Sequence, residues 1–145
     1  MSVSRLFENG QRPNLLFIIT DQERALQHWP ESFAADHLPA LTRLRRHGLT
    51  LTHHFTNACM CSPSRATLLT GQFPATTGVT RTGSPGPPRS LPADLPNLAT
   101  VLRRAGYGRV EWHGKWHLGG TPADYGFAGW NPPDAGNYLA VNDTL

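Results

Sequence analysis

The sequence predicts an α/β domain built on a largely parallel sheet. Three observations carry that expectation. A short continuous apolar run, "NLLFIIT" at residues 14–20, suits a strand buried on both faces. Amphipathic helical segments and β-rich segments then alternate. Their order is strand, helix, strand, helix, helix, strand, which is the α/β pattern.

The elements follow in order. The first strand covers 14–20 and ends at Asp21. "LPALTRLRRHG", 38–48, sets Leu38, Leu41 and Leu44 on one side and Arg43, Arg45 and Arg46 on the other, with Gly48 closing it. "LTLTHHFTN", 49–57, alternates and is β-rich, a second strand in which His53 and His54 make ordinary polar contacts. A helix is expected from Pro63 to about Thr70, stopped by Gly71. Residues 81–92 are loop, because their prolines and glycines forbid regular structure. "LPNLATVLRRAG", 95–106, is another amphipathic helix, and "YGRVEWHG", 107–114, is a third strand. Three buried strands cannot close a sheet covered on both faces, so the chain reads as the front part of a larger fold, with a tail over 1–12 and the domain over 13–145.

Composition excludes several classes. The net charge of +3 is scattered, with no basic run beyond pairs such as Arg45–Arg46, so charge does not point to nucleic acid. The opening "MSVSRLFENGQRPN" lacks the apolar core of a secretory peptide, and "LLFII" is far short of the ~20 residues of a membrane span. A cytoplasmic location without membrane attachment is the expectation. Two cysteines one residue apart, Cys59 and Cys61, make a poor disulfide pair. Twelve of the thirteen basic residues are arginine, so the position of the single lysine, Lys115, is informative.

Three places could carry chemistry. Asp21 lies just past the carboxyl end of the first strand, where ligands of open α/β sheets gather. Alone it reads either as a turn or cap aspartate or as an oxygen ligand for Ca²⁺ or Mg²⁺. Cys61 falls at the mouth of the following helix, where free N–H groups and the dipole favour an anion, with Arg65 four residues on. A buried structural cysteine, or a metal-binding pair with Cys59, fits that position too. Lys115 and His117 are two apart, so in an extended segment they share a face and suit an anionic substrate. An exposed polar loop is the alternative.

"CSPSRATLLTG", 61–71, resembles the signature of the sulfatase family, in which a Cys-x-Pro-x-Arg core precedes apolar residues and Thr-Gly. "GKWHLG", 114–119, resembles that family's second signature, and "PNLLFIITDQ", 13–22, its opening strand and metal aspartate. The resemblance runs from Pro13 to about Gly129. It implies an alkaline-phosphatase-like fold, a mostly parallel sheet flanked by helices, of which this chain holds the N-terminal part.

The resemblance also implies roles. Cys61 becomes Cα-formylglycine through a separate formylglycine-generating enzyme, which reads the segment as an extended peptide before folding. Asp21, with Gln22 and the modified residue 61, binds the divalent cation, usually calcium, otherwise magnesium or manganese. Arg65 orients the modified residue, Lys115 contacts the sulfate oxygens, and His117 hydrogen-bonds the aldehyde hydrate. The substrate is a small-molecule or carbohydrate sulfate ester. A hydrated aldehyde is useful because one hydroxyl attacks sulfur and the other, losing its proton, expels sulfate by C–O cleavage. The family often has a second aspartate where this sequence has Gln22, whose amide oxygen adds no charge. Further metal ligands and a leaving-group acid are expected beyond residue 145. A phosphodiesterase or phosphonate monoester hydrolase of the same superfamily, and an inactive fragment, are the competing expectations. Cys59 is expected to serve packing.

Overall fold

The computed structural model describes residues 12–25, 28–82 and 90–128. Contacts divide the chain into two units: Leu16–Phe55, and the described residues up to Leu15 together with those from Thr56 onward.

In the 16–55 unit, α1 (Phe33–His37) and α2 (Pro39–His47) follow one another closely. Proline at the first position of α2 costs little, since its missing N–H would lack a partner there in any case. Arg45, Arg46 and His47 occupy the last turn, where cations complement the dipole. The Thr42 hydroxyl donates to the Ala34 carbonyl at 2.7 Å and ties the two helices together. Neither helix buries a residue, and Leu44, expected on an apolar face, is 66% exposed.

The other unit contains α3 (Cys61–Thr70), α4 (Pro74–Thr77), α5 (Leu98–Arg104) and a 3₁₀ turn, Pro122–Tyr125. α3 starts two residues before the expected Pro63. That proline is still in the first turn, where no N–H is needed. Gly71 (φ 68°) supplies the left-handed stop, and its N–H donates to the Thr67 carbonyl at 2.7 Å. α5 is shorter than the expected 95–106. Asn97 caps it by accepting from the Ala99 and Thr100 amides, while Thr100 Oγ1 accepts from the Asn97 amide.

This unit closes a core of Ala66, Leu69, Val79, Leu91, Ala99, Val110, Trp112, Trp116, Leu118, Tyr125 and Phe127. Its centre is aromatic. Trp116 lies 5.3 Å from Trp112, 5.0 Å from Tyr125 and 5.9 Å from Phe127, centroid to centroid, and meets Trp112 and Phe127 edge-to-face, as ring quadrupoles favour.

The expected parallel sheet does not form among the described residues. The runs at 14–20 and 49–57 are irregular, and the side chains of Leu16, Ile18, Leu49 and Phe55 are largely exposed. The third segment keeps strand periodicity, with Val110 and Trp112 buried and Glu111 and His113 exposed, but has no ladder. The physical reason is that a strand exists only through hydrogen bonds to a neighbour distant in sequence. An apolar period shows a segment's fitness for a sheet, not its partner. Most of the 81–92 loop and the tail expected over 1–12 lie outside the described residues.

Candidate active site

Cys61 is the first residue of α3 and is half-buried. The Lys115 ammonium approaches it, with Nζ donating to Sγ at 3.4 Å. A cation and the opening of a ten-residue helix therefore meet at residue 61.

Arg65, only 8% exposed, lies one helical turn on. Its Nη1 donates to the Lys115 carbonyl at 2.5 Å, and the Trp112 indole N–H donates to the same oxygen at 3.2 Å. Arg65 thus holds the backbone of the lysine that approaches residue 61. Ser62, 1% exposed, is held from both sides: its amide donates to Thr82 Oγ1 at 3.1 Å, and its hydroxyl donates to the His117 carbonyl at 2.7 Å.

The 113–120 segment is shaped by its glycines. Gly114 and Gly119 have φ of 87° and 74°, and a Cβ at Gly119 would collide with Ser90. Trp116 is buried between half-buried Lys115 and exposed His117, and its indole donates to the Gly119 carbonyl at 2.8 Å. His117 has φ 62°, so the segment is not extended there and strand alternation does not set the direction of His117 relative to Lys115.

Asp21 and Gln22 lie in the 16–55 unit and are exposed, and Gln22 adopts a left-handed φ of 56°. Their carboxylate and amide oxygens have the chemistry of hard-cation ligands, although two are fewer than the six to eight calcium takes. Among the described residues no group of three His, Cys, Asp or Glu side chains is placed to hold a metal. Cys59 is exposed, which corrects its expected packing role. His53, also exposed, contacts the neighbouring Thr52 hydroxyl rather than a strand partner. No described helix is long and apolar enough to cross a membrane.

Away from residue 61, Glu111, Asp124 and Tyr125 are perturbed. The Glu111 carboxyl is held below its ordinary range by hydrogen bonds from His113 and Arg109. The Asp124 carboxyl is lowered by the Thr121 amide and hydroxyl. Burial, and then the Asp124 charge, push the Tyr125 phenol up.

Ser62, Thr82 and Trp112 escaped the sequence reading. Ser62 is the variable position of the first motif, and its contact with His117 spans 55 residues. No local signal could have exposed it.

Comparison with known proteins agrees with the motifs. The family model described as Sulfatase matches residues 13–144. An ulvan-active sulfatase of Formosa agariphila is 33% identical over 112 residues, 75% of this chain and 20% of that protein. Human arylsulfatase G is 36% identical over 115 residues, 76% of this chain and 21% of that protein. Mouse steryl-sulfatase is 39% identical over 87 residues, 56% of this chain and 14% of that protein. The chain thus spans about a fifth of the length of such relatives. With a family match over nearly its whole length and a cation set against its motif cysteine, the chain belongs to the sulfatase family.

Proposed function

We propose that this chain is the nucleophile-bearing part of a sulfuric ester hydrolase that acts on sulfate monoesters. The observation that carries the reading is the approach of Lys115 Nζ to Cys61 Sγ at the opening of α3. Residue 61 works as formylglycine, made by a formylglycine-generating enzyme, and its hydrate supplies the attacking hydroxyl. Asp21 and Gln22 would hold a divalent cation, calcium or otherwise magnesium or manganese, and such a cation would supply charge stabilisation for an anionic ester.

The chain's own residues do the remaining work. Lys115 and the positive end of the α3 dipole stabilise the anion, and a preorganised donor such as the Lys115 ammonium is typically worth about 3 kcal/mol of barrier. Arg65 fixes Lys115 through its carbonyl. His117 supplies a hydrogen bond to the hydrated residue 61. The substrate class is a small-molecule or carbohydrate sulfate ester, in keeping with relatives that include an ulvan-active sulfatase and arylsulfatases.

The test is mass spectrometry of the tryptic peptide containing residue 61 after co-expression with a formylglycine-generating enzyme. Conversion lowers the peptide mass by about 18 Da, the balance of the atoms exchanged. A thiol that persists under those conditions removes the mechanism. Matched aryl sulfate, phosphonate and phosphodiester assays on a protein containing this chain then decide the ester class. Preference for phosphonate or phosphodiester would replace the sulfate reading. Turnover that survives exhaustive chelation would remove the cation.

A further inference from the structure

We propose that Ser62 and Trp112 are positioning residues. Together they pin the two ends of a three-residue strap, Lys115–Trp116–His117, so that the Lys115 ammonium is held against residue 61. The inference rests on reading residue 61 as the reacting position.

Both ends of the strap are fixed by their carbonyls. At one end the Lys115 carbonyl accepts from the Trp112 indole and from Arg65. At the other the His117 carbonyl accepts from the Ser62 hydroxyl. Between them Trp116 is sunk in the aromatic core, 5% exposed, so the strap cannot rotate as a unit. Trp112 is itself seated in that core, its ring 5.3 Å from Trp116 and 5.7 Å from Phe127.

The backbone explains why pins are needed. His117 is a non-glycine residue at φ 62°, and such conformations persist only where surrounding contacts over-determine them. Ser62 supplies one such contact from a residue adjacent to Cys61 in the same first helical turn. Its amide is already engaged by Thr82, so its hydroxyl is presented from a fixed base. A lysine side chain has four flexible carbons. Its charge stays near one atom only if the backbone beneath it does not move. Displacement of a catalytic charge by about an ångström is enough to matter to a reaction rate.

The test measures the field at residue 61 without requiring turnover. The chain is expressed without a formylglycine-generating enzyme, in a Cys59→Ser background that removes the exposed second thiol. Residue 61 is alkylated separately with iodoacetate, which is anionic, and iodoacetamide, which is neutral. In both, the carbon–sulfur bond forms as iodide leaves, and the thiol proton goes to solvent. The ratio of the two rates reports the positive charge near Sγ. Lys115→Gln should lower the ratio roughly threefold, the scale of a unit charge acting a few ångströms away in largely solvated surroundings.

Ser62→Ala and Trp112→Phe, each deleting a donor while keeping most of the packing, should each reproduce at least half of that drop while the chain still melts cooperatively from a folded state. Thr70→Ala, which removes a hydroxyl bonded to the Ala66 carbonyl at the far end of α3, should leave the ratio unchanged. The proposal is overturned if both donor deletions keep the parent ratio while Lys115→Gln loses it. It is overturned equally if Lys115→Gln has no effect, or if Ser62→Ala unfolds and so shows the hydroxyl to be holding the fold. Failure of the proposed sulfatase function, an unmodified residue 61 or no ester turnover, would leave these ratios untouched, so the two ideas fail separately.

Discussion

Residues 16–55 and residues 56–128 differ in what they manage to bury. Among the described residues of the first region none is buried, and its apolar run leaves Leu16 84% and Ile18 76% exposed. The second region sinks eleven apolar side chains into one core. Composition does not separate them, since both are rich in leucine and aromatics. Closure does. The second region is stitched by side-chain to backbone hydrogen bonds of long sequence separation: Ser62 to His117, Arg65 to Lys115 and Tyr125 to Leu91. The expected anion-handling residues, Cys61, Arg65, Lys115 and His117, all belong to that region, whereas Asp21 and Gln22 belong to the other.

The sharpest way to break this comparison is to truncate one leucine in each region. Leu118 is fully buried, and Leu118→Ala should cost about 3 kcal/mol through lost burial and a residual cavity. Leu16→Ala should change stability by under about 0.5 kcal/mol. Urea unfolding followed by tryptophan fluorescence reads both, because Trp112 and Trp116 report on the core. Comparable losses at the two positions would erase the distinction.

Asn97 comes next in size. It caps α5, and its Nδ2 donates to the Tyr125 carbonyl at 3.2 Å while the residue is 2% exposed. Asn97→Ala removes the cap and a buried bond together, a loss of about 2 kcal/mol in the same titration.

Tyr125→Phe is smaller, about 1 kcal/mol at neutral pH, because it deletes the single bond from the phenol to the Leu91 carbonyl at 2.7 Å. It also has a pH signature. Burial and the Asp124 charge raise the phenol above its ordinary 10.0. Above that pH the unfolded chain gives up the proton while the folded chain keeps it. Stability is therefore fully present below about 10 and falls as pH rises beyond it. The phenylalanine variant should lack that alkaline decline, and a decline of equal slope in both proteins would place its origin elsewhere.

Legibility in the sequence follows the same division. α2, α3 and α5 were readable because helical periodicity, capping and glycine stops are local signals. Gly71 is left-handed where its position predicted a stop. The meeting of Lys115 with Cys61 was legible only through two recognisable motifs 54 residues apart. Sheet formation was not legible, since the apolar period at 14–20 names no partner. α4 and the turn at Pro122–Tyr125 were missed because a single helical turn has too few residues to show a period. Ser62 and Trp112 were missed for a different reason: no period or motif shows which carbonyl a side-chain donor reaches, 55 residues away for Ser62 and three for Trp112.

Glu111 marks the low end of the scale. It sits on the exposed side of the strand-like 107–114 segment, opposite buried Val110 and Trp112, with Arg109 Nε at 2.5 Å from Oε1 and His113 Nε2 at 3.3 Å from Oε2. These partners hold the carboxyl below its ordinary 4.5, so whatever it contributes is present above that pH and lost as pH falls through and below it. The Arg109 side chain is 78% exposed, and surface ion pairs of this kind stabilise little and are screened by salt. Glu111→Gln should therefore match the parent chain at neutral pH in about 0.5 M salt, where screening is nearly complete. It should differ slightly at low salt, and it should lose the parent's acid-side slope. A loss at high salt exceeding that of Tyr125→Phe would mean that Glu111 stabilises the segment through packing rather than charge, and the exposed face of 107–114 would then have to be counted with the core.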